Sequence, residues 1–253
     1  MLRIAGKKLD PRLVVFDKDG TLIDFHAMWH VWFQHIMQEI TSQVSLDIET
    51  RQGFAGTLGY DLKTGEWDPL GPLTIASTGE VALLMASQLY RYQNRTWDDA
   101  LSIVYRAERN ARLALSKEVL VKPIGDVQDT LQRLKDTGLL LALATTDNRA
   151  STKRHLKQLG VDALFDTIVC GDDGVPLKPA PDMGLEICRR LDVSPHDTIM
   201  IGDSVADLSM AREAGYAYAV GVTSGALTRD MLAPYADAVI PDIQAIEIVS
   251  PRR

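Results

Sequence analysis

Leu13-Val14-Val15-Phe16-Asp17-Lys18-Asp19-Gly20-Thr21-Leu22 is the stretch on which the fold of this chain turns. Four apolar residues in a row, without alternation, mark a strand covered on both faces. The run stops at a polar loop with three charged residues and a glycine. The same grammar returns three times. Leu139 to Ala144 runs into Thr145-Thr146-Asp147-Asn148, Thr167-Ile168-Val169-Cys170 into Gly171-Asp172-Asp173-Gly174, and Thr198-Ile199-Met200-Ile201 into Gly202-Asp203-Ser204. Helical patterns cover Thr130 to Lys135, Ala150 to Leu159, Met183 to Leu191 and Val205 to Ala214, and Gly138, Gly160 and Gly215 stand where helix C-termini are expected. Strands alternating with helices predict an α/β fold, a parallel sheet with helices on both faces. Ligands of such sheets bind outside the carboxyl ends of the strands. Each of the four polar loops follows a strand, so all of them can converge on one site.

The rhythm breaks between Asp24 and Lys122. Trp29, Phe33, Ile36, Met37 and Ile40 recur at helical spacing, and Lys63-Thr64-Gly65 suits a tight turn. Ser77-Thr78-Gly79-Glu80 reads as a capping box ahead of Val81 to Tyr92, with a weaker version at Thr96-Trp97-Asp98-Asp99 ahead of Ala100 to Lys117. The expected organisation is a core from residues 1–23 and 122–253, with a mainly helical module, 24–121, inserted after the first strand.

Bulk properties narrow the function classes. With 46% hydrophobic residues in 253, the chain can bury a substantial core, and a net charge of −7 argues against nucleic acid or an anionic membrane as main partner. Its two cysteines, Cys170 and Cys188, have no CxxC spacing, which fits a reducing compartment without structural zinc. No apolar run approaches a membrane span, and Lys7, Lys8, Asp10 and Pro11 precede the first one, so no signal peptide is expected. The expectation is a soluble, cytoplasmic monomer or homodimer, with a short disordered tail ending in Pro251-Arg252-Arg253.

Asp17-Lys18-Asp19-Gly20-Thr21-Leu22, after its apolar strand, resembles the nucleophile motif of the haloacid dehalogenase-like hydrolases. Thr145 at a strand end, Lys178 in Leu177-Lys178-Pro179-Ala180-Pro181-Asp182, and Gly202-Asp203-Ser204-Val205-Ala206-Asp207 resemble that family's second, third and fourth motifs, in the expected order. The resemblance implies a Rossmann-like doubly wound core, a helical cap between the first two motifs, and a phosphatase most similar to phosphoglycolate phosphatases. It makes Asp17 the nucleophile and Asp19 the acid that protonates the leaving oxygen and then activates water. A hard divalent cation, Mg²⁺, would sit between the anionic nucleophile and the anionic phosphate. Asp17 and Asp203 would supply carboxylates to it and Asp19 a backbone carbonyl. Asp207, a helical turn beyond Asp203, suits an outer, water-mediated role. Lys178 would neutralise the phosphate and Asp17. Thr145 or Thr146 would bind the phosphate beside backbone N–H groups at a helix N-terminus. The family more often follows its Thr or Ser with Asn or Gly, and Thr146-Asp147 departs from that.

Blander readings compete with these. A calcium loop beginning at Asp17 would need acids where Thr21 and Met28 stand. His26 and His30 share a metal-binding spacing without an evident third ligand, so a packed or cap-facing role is expected. All four tryptophans (Trp29, Trp32, Trp67, Trp97) fall in the inserted module, most of them as its core. Arg106, Arg109 and Arg112 make a solvated helix face. Rival functions are a sugar-phosphate mutase of the β-phosphoglucomutase type and a non-catalytic phosphate-binding regulator; a dehalogenase or phosphonate hydrolase does not need Asp19. The expected substrate is a small phosphorylated metabolite, with selectivity residing in the inserted module, beginning at His26 and Trp29.

Overall fold

The computed structural model describes residues 1–115 and 121–249, and their side chains apart from those of residues 25–29, 75 and 115. The chain opens with a hairpin, β1 (Leu2–Ile4) and β2 (Lys7–Leu9). Ala5 and Gly6, at φ of 47° and 82°, make the two-residue turn whose twist suits paired antiparallel strands. The last strand, β9 (Glu247–Ile248), pairs with the other edge of β1, giving a small antiparallel sheet of order β2-β1-β9. Leu2 and Ile4 are fully buried. This sheet is not among the expected elements, because three-residue strands carry too little alternation to be legible in sequence.

β3 (Leu13–Phe16) is buried at every position. Five helices follow: α1 (Phe25–Gln43), α2 (Ile48–Thr57), α3 (Pro72–Ile75), α4 (Thr78–Tyr92) and α5 (Trp97–Leu115). The chain then alternates through α6 (Val127–Asp136), β4 (Leu140–Ala144), α7 (Arg149–Leu159), β5 (Thr167–Val169), α8 (Asp182–Leu191), β6 (Thr198–Gly202), α9 (Val205–Glu213), β7 (Tyr218–Val222), α10 (Arg229–Leu232) and β8 (Ala238–Ile240). Strands β3 to β8 form one parallel sheet of order β5-β4-β3-β6-β7-β8. This is the doubly wound α/β architecture that the sequence predicts. β7 and β8 extend it beyond the four strands read from sequence, because one is interrupted by Gly221 and the other spans three residues.

The strand side chains divide by parity, as a pleated strand requires. Val14, Phe16, Leu141, Leu143, Ile199 and Ile201 face one core layer with Val127, Leu131 and Leu156 from the helices. Leu13, Val15, Ala142, Ala144 and Met200 face the other, with Met183, Ile187 and Leu208. Continuous apolar runs arise because both faces are covered.

The chain divides into two compact units, one of Met1–Phe25 with Val121–Arg253 and one of His26–Leu120. The second unit is helical and has its own core, including Phe33, Ile36, Ile40, Phe54, Met85, Leu89 and Val104. The Ser77–Glu80 capping box forms at the start of α4. Thr96 Oγ1 accepts the Asp99 N–H ahead of α5. The turn at Lys63–Gly65 closes a single bridge between Tyr60 and Trp67, not a ladder. Among the described residues no helix is long and apolar enough to cross a membrane. The tail at Pro251-Arg252-Arg253 lies outside the described residues.

Candidate active site

Strand register assembles the site. Phe16 pairs with Leu143 of β4 and Ile201 of β6, so Asp17 emerges between the ends of those two strands, and its N–H donates to Ile201 O at 2.9 Å. The chain leaves β3 toward one edge of the sheet and later crosses to the other side through β6, so Asp17 stands at the topological switch point, where ligands of such sheets bind. Lys178, in the loop ahead of α8, reaches into the same place. Its Nζ donates to Asp17 Oδ1 at 2.6 Å, Asp207 Oδ1 at 2.6 Å and Ala144 O at 3.0 Å.

Carboxylate oxygens of Asp17, Asp203 and Asp207 lie within 4.8 Å of one another. They are not equivalent. Both oxygens of Asp207 are engaged by protein donors, Oδ1 by Lys178 and Oδ2 by the Ser204 N–H at 3.1 Å and hydroxyl at 2.6 Å. Ser204 caps α9, and Asp207 closes its capping box, which is why Asp207 sits there. Asp207 therefore orients Lys178 and the helix start, and Asp17 with Asp203 is the better-suited cation pair. Glycines make the room. A Cβ on Gly20, whose φ is +79°, would lie 2.2 Å from Asp203 Oδ2, and one on Gly225 would lie 1.8 Å from it. Ser224 Oγ ties the loop by donating to Gly20 O at 2.7 Å.

Crowding shifts the ionisation of these groups. Burial pushes the Asp17 carboxyl up to about 7; Lys178 opposes this, while Asp207 and Asp19 add to it. Asp203 rises well above the usual carboxylate range through burial and the neighbouring Asp17 and Asp207 charges. Burial alone would lower the Lys178 ammonium, but the Asp17 and Asp207 carboxylates hold it above its ordinary value. Three carboxyls around one ammonium leave an excess of negative charge, the condition that favours a bound cation.

Thr145 follows β4 directly and is buried, and its hydroxyl oxygen accepts the Asp147 N–H at 3.2 Å. Thr146 is exposed. Asn148 caps α7 by accepting the Ser151 N–H, so this loop ends on a helix N-terminus. Gly171 locks against it, donating its N–H to Asp147 O at 2.8 Å. Asp19 is gripped by its neighbour Lys18, at 2.7 Å, and burial raises its carboxyl despite that charge. In the helical unit the half-buried His30 bonds Gln34 at 2.8 Å and Tyr60 at 3.3 Å. The side chains of His26 and Trp29 lie outside the described residues. Trp32 is core, and Trp67 packs against Phe33 and Tyr60. Trp97 is 41% exposed, contrary to a core role. Arg106, Arg109 and Arg112 are exposed, as expected.

Residues 11–215 match the family model for haloacid dehalogenase-like hydrolases. The chain belongs to that family. A relative from Dickeya dadantii named "Probable phosphatase IndB" is 30% identical to this hydrolase over 91% of the chain and 89% of its own length. A phosphoglycolate phosphatase from Nitrosospira multiformis is 27% identical over 92% of each chain. Further relatives carry the name pyrophosphatase PpaX. A crystal structure from Haemophilus somnus, described as a predicted phosphoglycolate phosphatase, shares the fold with a TM-score of 0.72 at 18% identity, covering 94% of this chain and 96% of that one. Within the hydrolase, sequence motifs point to Asp17, Asp19, Lys178, Asp203 and Asp207 but pass over Lys18 and His155, which the fold brings beside Asp19 and Asp147. The one sequence signal for that cluster is the departure at Thr146-Asp147.

Proposed function

We propose that this hydrolase is a Mg²⁺-dependent phosphatase of a small soluble phosphorylated metabolite, working through a phosphoryl group carried on Asp17. The observation that carries the reading is the Asp17 carboxylate at the switch point, 2.6 Å from a buried Lys178 and clustered with Asp203. The donor set fits a hard cation, being all oxygen, crowded, and given room by Gly20 and Gly225. Asp17 and Asp203 would hold the ion together with the Asp19 carbonyl, and it would neutralise charge between nucleophile and phosphate.

Asp17 attacks phosphorus while the bond to the leaving oxygen breaks, and Asp19 gives that oxygen its proton. Asp19 then takes a proton from water as the water attacks phosphorus and the bond to Asp17 breaks, releasing inorganic phosphate. Lys178 draws charge from both Asp17 and the transferring oxygens, and Asp207 holds Lys178 in line. Thr145 binds a remaining phosphate oxygen through its hydroxyl. The substrate proposed is a phosphate monoester of the phosphoglycolate or sugar-phosphate kind. Inorganic pyrophosphate is the second candidate, favoured by the PpaX relatives. Selectivity is assigned to the helical unit, since the loops of the α/β unit meet only phosphate and metal.

A panel of phosphoglycolate, sugar phosphates, p-nitrophenyl phosphate and pyrophosphate, assayed with Mg²⁺, tests this. Chelation stops turnover and Mg²⁺ restores it, whereas Ca²⁺, with its looser coordination, inhibits. Asp17→Asn lowers kcat on the order of 10⁴-fold or more while the fold persists. Full activity in chelator, or an active Asp17→Asn enzyme, defeats the reading.

A further inference from the structure

We infer that Lys18, braced by Asp147 and His155, is a positioning unit that fixes the carboxyl group of Asp19 for proton transfer to the leaving oxygen. This rests on the function proposed above and deepens it. Lys18 occupies the place between the two acids of the nucleophile loop, and its side chain is completely buried. Its Nζ lies 2.7 Å from each carboxylate oxygen of Asp19, 3.3 Å from Asp147 Oδ2 and 3.4 Å from His155 Nδ1. An ammonium shut away from water needs such partners, because its charge is otherwise left without solvation.

The brace is itself fixed. Asp147 Oδ1 accepts the Asn148 N–H at 2.7 Å, and Asp147 O accepts the Gly171 N–H. His155 projects from α7, with Nε2 3.5 Å from Ser151 Oγ. The segment that departs from the family's pattern, Thr146-Asp147, is thus the one that supplies a counter-charge to Lys18. The nucleophile loop and the loop after β4 are joined through a single ammonium. Asp19 keeps 19% of its side chain exposed, so the group has an open side from which a proton can leave. With both oxygens 2.7 Å from Nζ, Lys18 fixes the plane of the carboxyl group, and the proton sits on a lone pair that faces away from the ammonium. General acids act only when held within hydrogen-bond reach of the leaving oxygen, and such placement contributes roughly 10²–10⁴-fold.

The alternative is that Lys18 merely joins two loops, and the chemistry of the leaving group separates the two. Lys18→Met keeps the length and removes the charge. It lowers kcat/KM for an alkyl phosphate on the order of 10²-fold, but for p-nitrophenyl phosphate, whose phenolate departs without a proton, by less than about tenfold. Lys18→Met with Asp147→Asn removes both charges; it regains thermal stability lost by the single variant yet keeps the selective defect. In crystals of either variant the Asp19 carboxylate is displaced from its present position.

Equal losses on the two substrates in folded variants, no loss, full recovery of alkyl phosphate turnover in the double variant, or an unmoved Asp19 carboxylate would each overturn the proposal. A wild-type enzyme that turns over neither ester overturns the parent reading and this inference together. An active wild type with equal losses in the variants overturns this inference alone.

Discussion

Lys18 and Lys178 are both buried ammonium groups held charged by pairs of carboxylates, Asp19 with Asp147 and Asp17 with Asp207. Burial would lower the Lys18 ammonium, and Asp19 and Asp147 reverse this. Each pair takes one acid from the nucleophile loop, Asp19 or Asp17, and the other from a distant segment, the loop after β4 or the start of α9, so the tertiary fold assembles this residue-scale electrostatics. His155 feels the result. Burial and the Lys18 charge lower it from 6.5 to about 4, so it is neutral in the fold. Between pH 6.5 and about 4 the unfolded chain binds this proton and the folded chain does not, so His155 costs stability as pH falls through that window, by about 3 kcal/mol in all. Asp17 acts in the opposite sense. Its carboxyl, raised from 3.8 to about 7, gives stability that is present below 3.8 and lost as pH rises toward 7. The two are separated by difference. Urea unfolding of wild type and His155→Gln from pH 4 to 7 should give a flatter acid limb for the variant, and parallel curves would remove His155 from this role.

The element that decides the site is the turn after β3. Gly20 combines a left-handed φ with an approach to Asp203 that no side chain permits. Gly20→Ala should therefore impair divalent-cation binding, read as loss of the Mg²⁺-induced rise in melting temperature, and lower kcat on every substrate. Gly6 is the control, because it shares the positive φ but has nothing within 4 Å of its Cβ position. Gly6→Ala should cost about 1 kcal/mol of stability and leave the Mg²⁺ response intact. Equal Mg²⁺ responses in the two variants would show that space at Asp203 is not what Gly20 provides.

At the scale of the whole molecule, two compact units, each with its own hydrophobic interior, imply a division of labour. The α/β unit carries all the motif residues, on loops after β3, β4, β5 and β6 and, for Asp207, in the first turn of α9. In the helical unit Tyr60 and Trp67, packed against Phe33, line a cavity of about 510 Å³ together with Gln52, Asp61 and Lys63. If selectivity lies in the helical unit, Lys63→Ala, Gln52→Ala and Trp67→Phe should reorder kcat/KM across the ester panel. Lys178→Met should depress all esters together, since they present the same phosphate. An unchanged substrate ranking across folded variants of the helical unit would place selectivity elsewhere.

The sheet and the main acids were legible in sequence because their signals are local. A strand buried on both faces must be apolar throughout, as Leu13–Phe16 is, and a loop that works at its carboxyl end must turn polar at once, as Asp17–Asp19 does. The helical interruption was legible for the same reason, through its period and the Ser77–Glu80 capping box. Strands β1, β2, β8 and β9, at two or three residues each, carry no period to read. The partners of a charge are likewise absent from any local pattern. Lys18 lies 137 residues from His155 in sequence, yet 3.4 Å from it in space. Only the placing of α7 against the loop after β3 decides that a lysine between two motif acids is a buried, thrice-held group and not an exposed one, because burial is a property of the assembled layers and not of any segment.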